Sequence, residues 1–310
     1  MNTAAPQFTA VDLIGAACAL GASHPGTAAA PQALREHGLE ARLAAAGVCA
    51  RWCATLVPEP DWPGGTDMVQ RLRANADFAA RLADCIAATT AFPVVLGGDH
   101  GIAVGTWRGL GRRLGTAPGL VWIDAHLDSH TAASTHSGNI HGMPLATLLG
   151  HGDAAFAQVR GPLLQAQRCC VIGARSWESE ERSLLDALGV RVFDAAEVRS
   201  RGLAATFAEA VEIARGDDPD RRFGISFDLD ALDAARFPAV TCPEPDGIAA
   251  DELARCLHGL AARADLIGFE IVEYRPDLDA DGRGTAWISA FIAAACGLGA
   301  DFSALVAKVQ

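Results

Sequence analysis

Eight apolar runs of strand length punctuate this 310-residue chain: VDLIGAAC (11–18), VCARWCATL (48–56), PVVLGG (93–98), GLVWID (119–124), RCCVIGA (168–174), VRVFD (190–194), RFGISFD (222–228) and LIGFEIVE (266–273). Most are apolar on both alternating faces, the pattern of strands covered by helices on both sides of a parallel sheet. Helix-like segments lie between them. Pro31 is placed to start one over 31–47, a second runs through 67–90, and Leu184, Leu185 and Leu188 form an apolar stripe in 179–189. Strand then helix, repeated, predicts a three-layer α/β domain, and no Gly/Ser or Pro-rich linker divides 1–310. Periodicity leaves a closed barrel and an open sheet both available.

Composition narrows the functions such a sheet can serve. Formal charge is −12, which opposes binding to nucleic-acid phosphates and favours a cationic small molecule. Lys308 is the only lysine, so a GK[ST] phosphate loop is absent and a Schiff-base lysine is disfavoured. No stretch reaches the ~18 uninterrupted apolar residues of a membrane span, and no basic leader precedes the first apolar stretch, so a cytoplasmic protein without a membrane partner is expected. The nine cysteines are scattered through apolar runs such as VCARWC and RCCVIG, which suits reduced core thiols better than a disulfide framework.

Charged residues gather where strands end. Asp124, His126 and Asp128 follow LVWI at two-residue spacing, so in an extended segment they share a face. Asp228 and Asp230 repeat that spacing after GISF, and His100 follows a third strand and two glycines that permit a sharp turn. Singly, each reads as a capping or core residue. Together they are four carboxylates and two imidazoles delivered by parallel strands to one sheet edge, a hard donor set whose four negative charges match two divalent cations. Mn²⁺ is the first choice, and metal-assisted hydrolysis is the chemistry implied.

The motifs GGDH, DAHLDSHTAASTHSGNIHGMP, SFDLDALD and GFEIVEYRP resemble, in order and separation, those of the ureohydrolase (arginase and agmatinase) family, and the likeness extends over most of the chain. The resemblance implies an open fold with an eight-stranded parallel sheet and two manganese ions per subunit. It assigns His100, Asp124, Asp128 and Asp228 to one ion and Asp124, His126, Asp228 and Asp230 to the other, with Asp124 and Asp228 bridging. A metal-bridging hydroxide would attack a guanidinium carbon, Asp230 would help to stabilise the intermediate, and His141 would pass a proton to the leaving amine. Glu273 matches the carboxylate that holds the guanidinium through two parallel hydrogen bonds, with Glu270 as a competing candidate.

Within the family the polar loop favours L-arginine, giving L-ornithine and urea. Thr135, Ser137 and Asn139 stand where arginases contact the substrate carboxylate. His130 replaces a common Asn there, and Glu178 stands near an Asp that reads the α-amino group. Thr241 and Cys242 occupy a pocket loop, AARFPAVTCPEPDG, that departs from the usual pattern. A trimer or hexamer is expected by resemblance. The competing readings are agmatinase, guanidinobutyrase or guanidinase, formimidoylglutamase, a binuclear metallophosphatase with Arg175 as its nearest phosphate-holding cation, and a non-catalytic binding protein.

Overall fold

The computed structural model describes residues 10–59, 67–216, 222–260, 265–298 and 302, so the first residues and Lys308 lie outside the described part. All eight apolar runs form strands: β1 (Val11–Ala16), β2 (Ala50–Leu56), β3 (Phe92–Gly97), β4 (Gly119–Ile123), β5 (Cys169–Ala174), β6 (Arg191–Asp194), β7 (Phe223–Asp228) and β8 (Leu266–Val272). They make one parallel sheet in the order β2-β1-β3-β8-β7-β4-β5-β6. The sheet is open, which decides against the barrel.

Alternation along the strands divides the interior into two layers. Val121 and Ile123 of β4 pack into a core shared with Leu34, Leu43, Phe207, Val211 and Phe291, whereas Leu120 and Trp122 join Phe78, Leu82, Trp107 and Leu185 on the opposite face. Helices thus cover both sides of a sheet that is apolar on both. The long helix Met68–Ala87 begins where Asp67 accepts from the Val69 amide, and Ser179–Leu188 begins with a reciprocal capping box between Glu178 and Glu181.

Two local expectations are corrected. The helix expected over 31–47 is broken in two, Ala30–Glu36 and Leu39–Ala45, because Gly38 takes the left-handed conformation at φ 76°. Cys49 and Cys53 are exposed rather than core thiols: β2 is an edge strand whose side chains alternate between half-buried and exposed. Cys18, Cys169, Cys170 and Cys296 are buried as expected, and none of the nine cysteines forms a disulfide. Among the described residues no helix is long and apolar enough to cross a membrane.

The topology fixes where a site can form. From β3 the chain crosses to β4, leaving a gap that β8 and β7 fill later, so the four central strands β3, β8, β7 and β4 end side by side at a topological switch point. His100, Glu273, Asp228 and Asp124 stand at those four ends.

Candidate metal centre and active site

Each strand end is shaped locally to turn a polar side chain inward. After β3 the chain passes so near the segment after β1 that a Cβ on Gly98 would lie 1.7 Å from the Cys18 carbonyl oxygen. Glycine is required there for close approach rather than for a left-handed turn, since φ is not positive. Asp99 then accepts amide hydrogen bonds from Gly21 (2.7 Å), Ala22 (3.0 Å) and Gly101 (2.9 Å), and His100 is fully buried. After β4 the strand does not continue as expected. Residues 124–128 leave the sheet, and Asp128 takes φ 47°, so Asp124, His126 and Asp128 meet through a tight loop rather than a shared pleat.

All six proposed ligands converge. His100 Nδ1 lies 3.1 Å from Asp124 Oδ2, 3.0 Å from Asp128 Oδ2 and 3.1 Å from Asp228 Oδ2. His126 Nδ1 lies 3.0 Å from Asp230 Oδ2 and 3.5 Å from Asp124 Oδ1. The two oxygens of Asp124 therefore face different histidines. Backbone amides of His126 and Asp230 donate to Asp124 Oδ1 (2.7 Å) and Asp228 Oδ1 (2.8 Å), and Trp122 Nε1 donates to Asp124 Oδ2 (2.8 Å).

Whether these residues suit a cation is tested by His100. Its Nε2 is bonded to Ser226 Oγ at 2.9 Å, and the Ser226 hydroxyl donates to Glu270 Oε2 at 2.6 Å, which also accepts from Trp107 Nε1 at 3.2 Å. The serine proton is thus committed to Glu270, its oxygen accepts from Nε2–H, and Nδ1 is the nitrogen left to face the carboxylates. Yet Nδ1 is buried and makes no aligned hydrogen bond to any of the three carboxylates around it. Three carboxylates gathered around one buried imidazole nitrogen require positive charge among them, supplied by a metal cation or, without one, by a proton on Nδ1. The donor set fits a divalent metal, and the Glu270–Ser226–His100 chain is the kind of outer support that orients a ligand imidazole.

Without a cation the cluster is electrostatically frustrated. Burial opposes the charged form of His100 and His126, but their surrounding carboxylates override it and hold both imidazoles well above their ordinary range. Burial, with neighbouring aspartate charge, pushes Asp128, Asp228 and Asp230 up, whereas Asp124, between two histidines, is held low despite its burial.

Beside the cluster opens a cavity of about 300 Å³ lined by His126, Asp128, Asp228, Asp230, His141 and Glu273, with Cys242 on one wall. Its outer part carries His130, Ser137, Asn139, Glu178, Glu181 and Trp177. Glu273 has φ 65° and is 2 % exposed. Its Oε1 accepts from the His100 amide (2.8 Å) and contacts His141 Nδ1 (2.9 Å), while buried Oε2 makes no aligned hydrogen bond. Burial disfavours a charged His141, but the Glu273 carboxylate outweighs it and holds the imidazole up at about 9. Reciprocally, His141 keeps Glu273 low against its burial.

Several expected residues fall elsewhere. Glu270 faces Trp107 and Ser226 inside the sheet and does not line the cavity, which separates it from Glu273. Thr135 also does not line it. Its hydroxyl accepts from the Gly138 amide within its own loop. His130 is paired, Nε2 to Glu178 Oε2 at 2.9 Å and Nδ1 to Ser134 Oγ at 3.1 Å, so it stands at the rim already engaged. Thr241 likewise does not line the cavity, and its neighbour Cys242 does.

Arg175 is not available to hold phosphate. Its guanidinium donates to the carbonyls of Pro245 (2.7 Å), Asp230 (2.7 Å), Glu244 (3.0 Å), Leu232 (3.1 Å), Gly173 (3.2 Å) and Ala231 (3.3 Å), stapling the loop after β7 to the end of β5. Among the described residues no arginine lines the cavity. Sequence reasoning missed Ser226, Asp99 and Glu181. Ser226 carried a signal, a polar residue two before Asp228 and so on the same face of an apolar strand. Glu181 carried none, since its spacing is that of an ordinary capping box.

Residues 9–298 match the arginase family. An arginase from Brevibacillus brevis is 34 % identical over 277 residues, covering 87 % of this chain and 91 % of that protein. Among solved structures, arginase from Bacillus cereus superposes with a TM-score of 0.84 at 28 % identity over 93 % of this chain and 98 % of that one. Entamoeba histolytica arginase in complex with L-ornithine gives 0.85 at 25 % identity over 94 % and 99 %. A match spanning nearly every described element, joined to a polar cluster at the switch point of the same sheet, means that this chain is a ureohydrolase and belongs to the arginase family.

Proposed function

We propose that this enzyme hydrolyses the guanidinium group of L-arginine, giving L-ornithine and urea. The observation that carries the reading is Glu273, a buried carboxylate lining the same cavity as the His/Asp cluster, whose Oε2 makes no aligned hydrogen bond. A guanidinium is the group whose charge and N–H geometry such an oxygen accepts. Because Oε1 already serves the His100 amide and His141, the grip relies on Oε2 and not on the two parallel bonds expected for a free carboxylate.

His100, Asp124, Asp128 and Asp228 would hold one divalent cation and Asp124, His126, Asp228 and Asp230 the second, Mn²⁺ being the proposed metal. When bound, the pair supplies Lewis acidity and a water activated for attack near neutral pH. Glu273 orients the guanidinium carbon over the cluster. Asp230, on the cavity floor, accepts hydrogen bonds from N–H groups as that carbon becomes tetrahedral. His141 stays protonated at neutral pH through Glu273, and Nε2, the nitrogen that Glu273 does not engage, gives its proton to the departing amine.

The rim supports an α-amino acid as substrate. Ser137 and Asn139 offer donors to a carboxylate, His130 would join them by releasing Ser134 or Glu178, and Glu178 offers an acceptor to an α-ammonium. Thr135 belongs to the same loop, contributing by bracing it. A cytoplasmic homo-oligomer, a trimer or hexamer without nucleic-acid or membrane partners, completes the proposal, and sedimentation of the purified protein tests its assembly. The substrate is tested with L-arginine, agmatine, 4-guanidinobutyrate and N-formimidoyl-L-glutamate, Mn²⁺ supplied, reading urea or formamide. Urea from L-arginine is expected. Turnover of another member of the panel with none of L-arginine overturns the assignment.

A further inference from the structure

The two imidazoles of the cluster are supported differently from behind. His100 turns Nδ1 to the carboxylates and rests Nε2 on the buried Ser226–Glu270 pair. His126 also turns Nδ1 inward, to Asp230 and Asp124, so its outward nitrogen is Nε2. The acid facing that nitrogen is Glu244, with Oε1 at 3.9 Å. The gap is too long for a direct hydrogen bond, and a small side-chain rotation or one bridging water closes it.

Glu244 sits on a backbone with little freedom. It lies between Pro243 and Pro245, which fix φ on either side and bias Glu244 itself toward extended conformations. Arg175 holds the carbonyls of Glu244 at 3.0 Å and Pro245 at 2.7 Å, and the Ala234 amide reaches the Glu244 carbonyl at 3.4 Å. Only the side-chain torsions remain to choose where the carboxylate goes, and they bring it to His126. Glu244 belongs to the stretch PEPDG, within the loop that departs from the family's usual sequence.

Resting on the metal reading above, we propose that Glu244 is a positioning residue for His126. Its carboxylate accepts the Nε2 proton, directly or through one water, keeps Nδ1 bare and raises the basicity of the nitrogen that faces the cation. Glu244 thereby does for His126, at the half-exposed side of the cluster, what Ser226 and Glu270 do for His100 in the interior. It tunes the affinity of one cation and leaves the other unchanged.

The test is a Mn²⁺ titration of the full-length, chelator-treated protein, reading free Mn²⁺ by electron paramagnetic resonance. Wild type is expected to bind two ions. Glu244→Gln is expected to weaken one of them by about 10-fold or more and leave the other within about 2-fold, the range for loss of an outer partner of a metal-binding histidine. Its melting temperature in chelator should match wild type, and in a His126→Asn background Glu244→Gln should change nothing further. Wild-type affinities in Glu244→Gln overturn the proposal. So does equal weakening of both ions, which would mark a diffuse loss of negative charge, or additional weakening in the His126→Asn background. A wild type that binds no Mn²⁺ overturns the metal reading itself.

Discussion

Replacing Glu273 by Gln isolates the interaction that keeps His141 charged. The side chain keeps its shape and Gln Oε1 can still accept from the His100 amide, but the charge 2.9 Å from His141 Nδ1 is gone. In wild type the imidazole titrates at about 9, against an ordinary value of 6.5. At pH 7.5 that difference corresponds to about 97 % protonation falling to about 9 % if the whole shift is lost; in the variant burial pushes the imidazole down while Asp99 and Asp128 still push it up, so this is the upper bound of the effect. The gap between about 9 and 6.5, at ~1.4 kcal/mol per pH unit, is worth roughly 3 kcal/mol of folding stability. A raised imidazole value contributes fully below 6.5 and is lost as pH climbs through 9. Urea denaturation of the chelator-treated wild type and Glu273→Gln, in which no cation adds to the field, should therefore show a stability gap that is largest near pH 6 and closes by roughly 3 kcal/mol toward pH 10. A gap that does not change with pH would refute the claim that this pair charges His141.

Three further perturbations follow from single contacts. Gly21→Ala puts a Cβ 2.9 Å from the His141 amide nitrogen and 3.0 Å from both oxygens of Asp99, so His141 must shift; kcat should fall about 10-fold or more with a smaller change in KM, measured by steady-state urea release. Ser226→Ala leaves His100 Nε2 and Glu270 without their shared partner, and Mn²⁺ affinity should fall by about 10- to 100-fold in an equilibrium titration. Arg175→Ala removes a donor from six carbonyls, of which Ala231 and Glu244 keep a backbone amide, and should cost about 2–5 kcal/mol in urea denaturation, with Arg175→Lys recovering little because an ammonium cannot span the same fork.

What the sequence discloses about this protein is whatever depends on short-range pattern. The strands are legible because all but the two edge strands, β2 and β6, are buried on both faces, leaving apolar runs bounded by polar ends, and the polar pairs Asp124/Asp128 and Asp228/Asp230 are legible because they break those runs at the same relative place. Strand order is not legible, since it depends on which helix packs where, and the β3-to-β4 crossing that opens the site has no local signature. The break at Gly38 is missed because one glycine inside an apolar 3.6-residue pattern is compatible with a continuous helix. Ser226, Asp99 and Arg175 act through contacts 44 to 126 residues away in sequence, and only the assembled sheet edge gives them partners. Glu270 and Glu273 differ by three positions yet end in separate places, because one still belongs to β8 and the other follows its end.

Two residues bordering the cavity, Asp128 at φ 47° and Glu273 at φ 65°, hold left-handed backbone that a carboxylate-bearing residue adopts at some cost. Each is pinned from outside: the Asp128 carbonyl accepts from the Leu145 amide at 2.9 Å, and the Glu273 amide donates to the Gly98 carbonyl at 2.9 Å. The fold therefore spends stability to aim two carboxylates, and at Asp128 it adds a second cost, because burial and the Asp124 charge both oppose its ionisation. Asn fits the same backbone, since it tolerates the left-handed region well, and carries no charge. Asp128→Asn should consequently make the metal-free protein more stable by about 0.5–2 kcal/mol, the usual return for relieving a strained functional site. The sign depends on pH. A carboxyl whose folded value is raised is destabilising only where it is forced to ionise, so the gain should be present at pH 7–8 and shrink toward acid pH, where Asp128 takes up its proton. With Mn²⁺ present the order should reverse, because wild type gains stability from a cation that the variant binds poorly. Urea denaturation in chelator and in Mn²⁺ decides the matter: a variant less stable than wild type under both conditions would mean that Asp128 supports the fold by itself, and that the frustration ascribed to the metal-free cluster is not there.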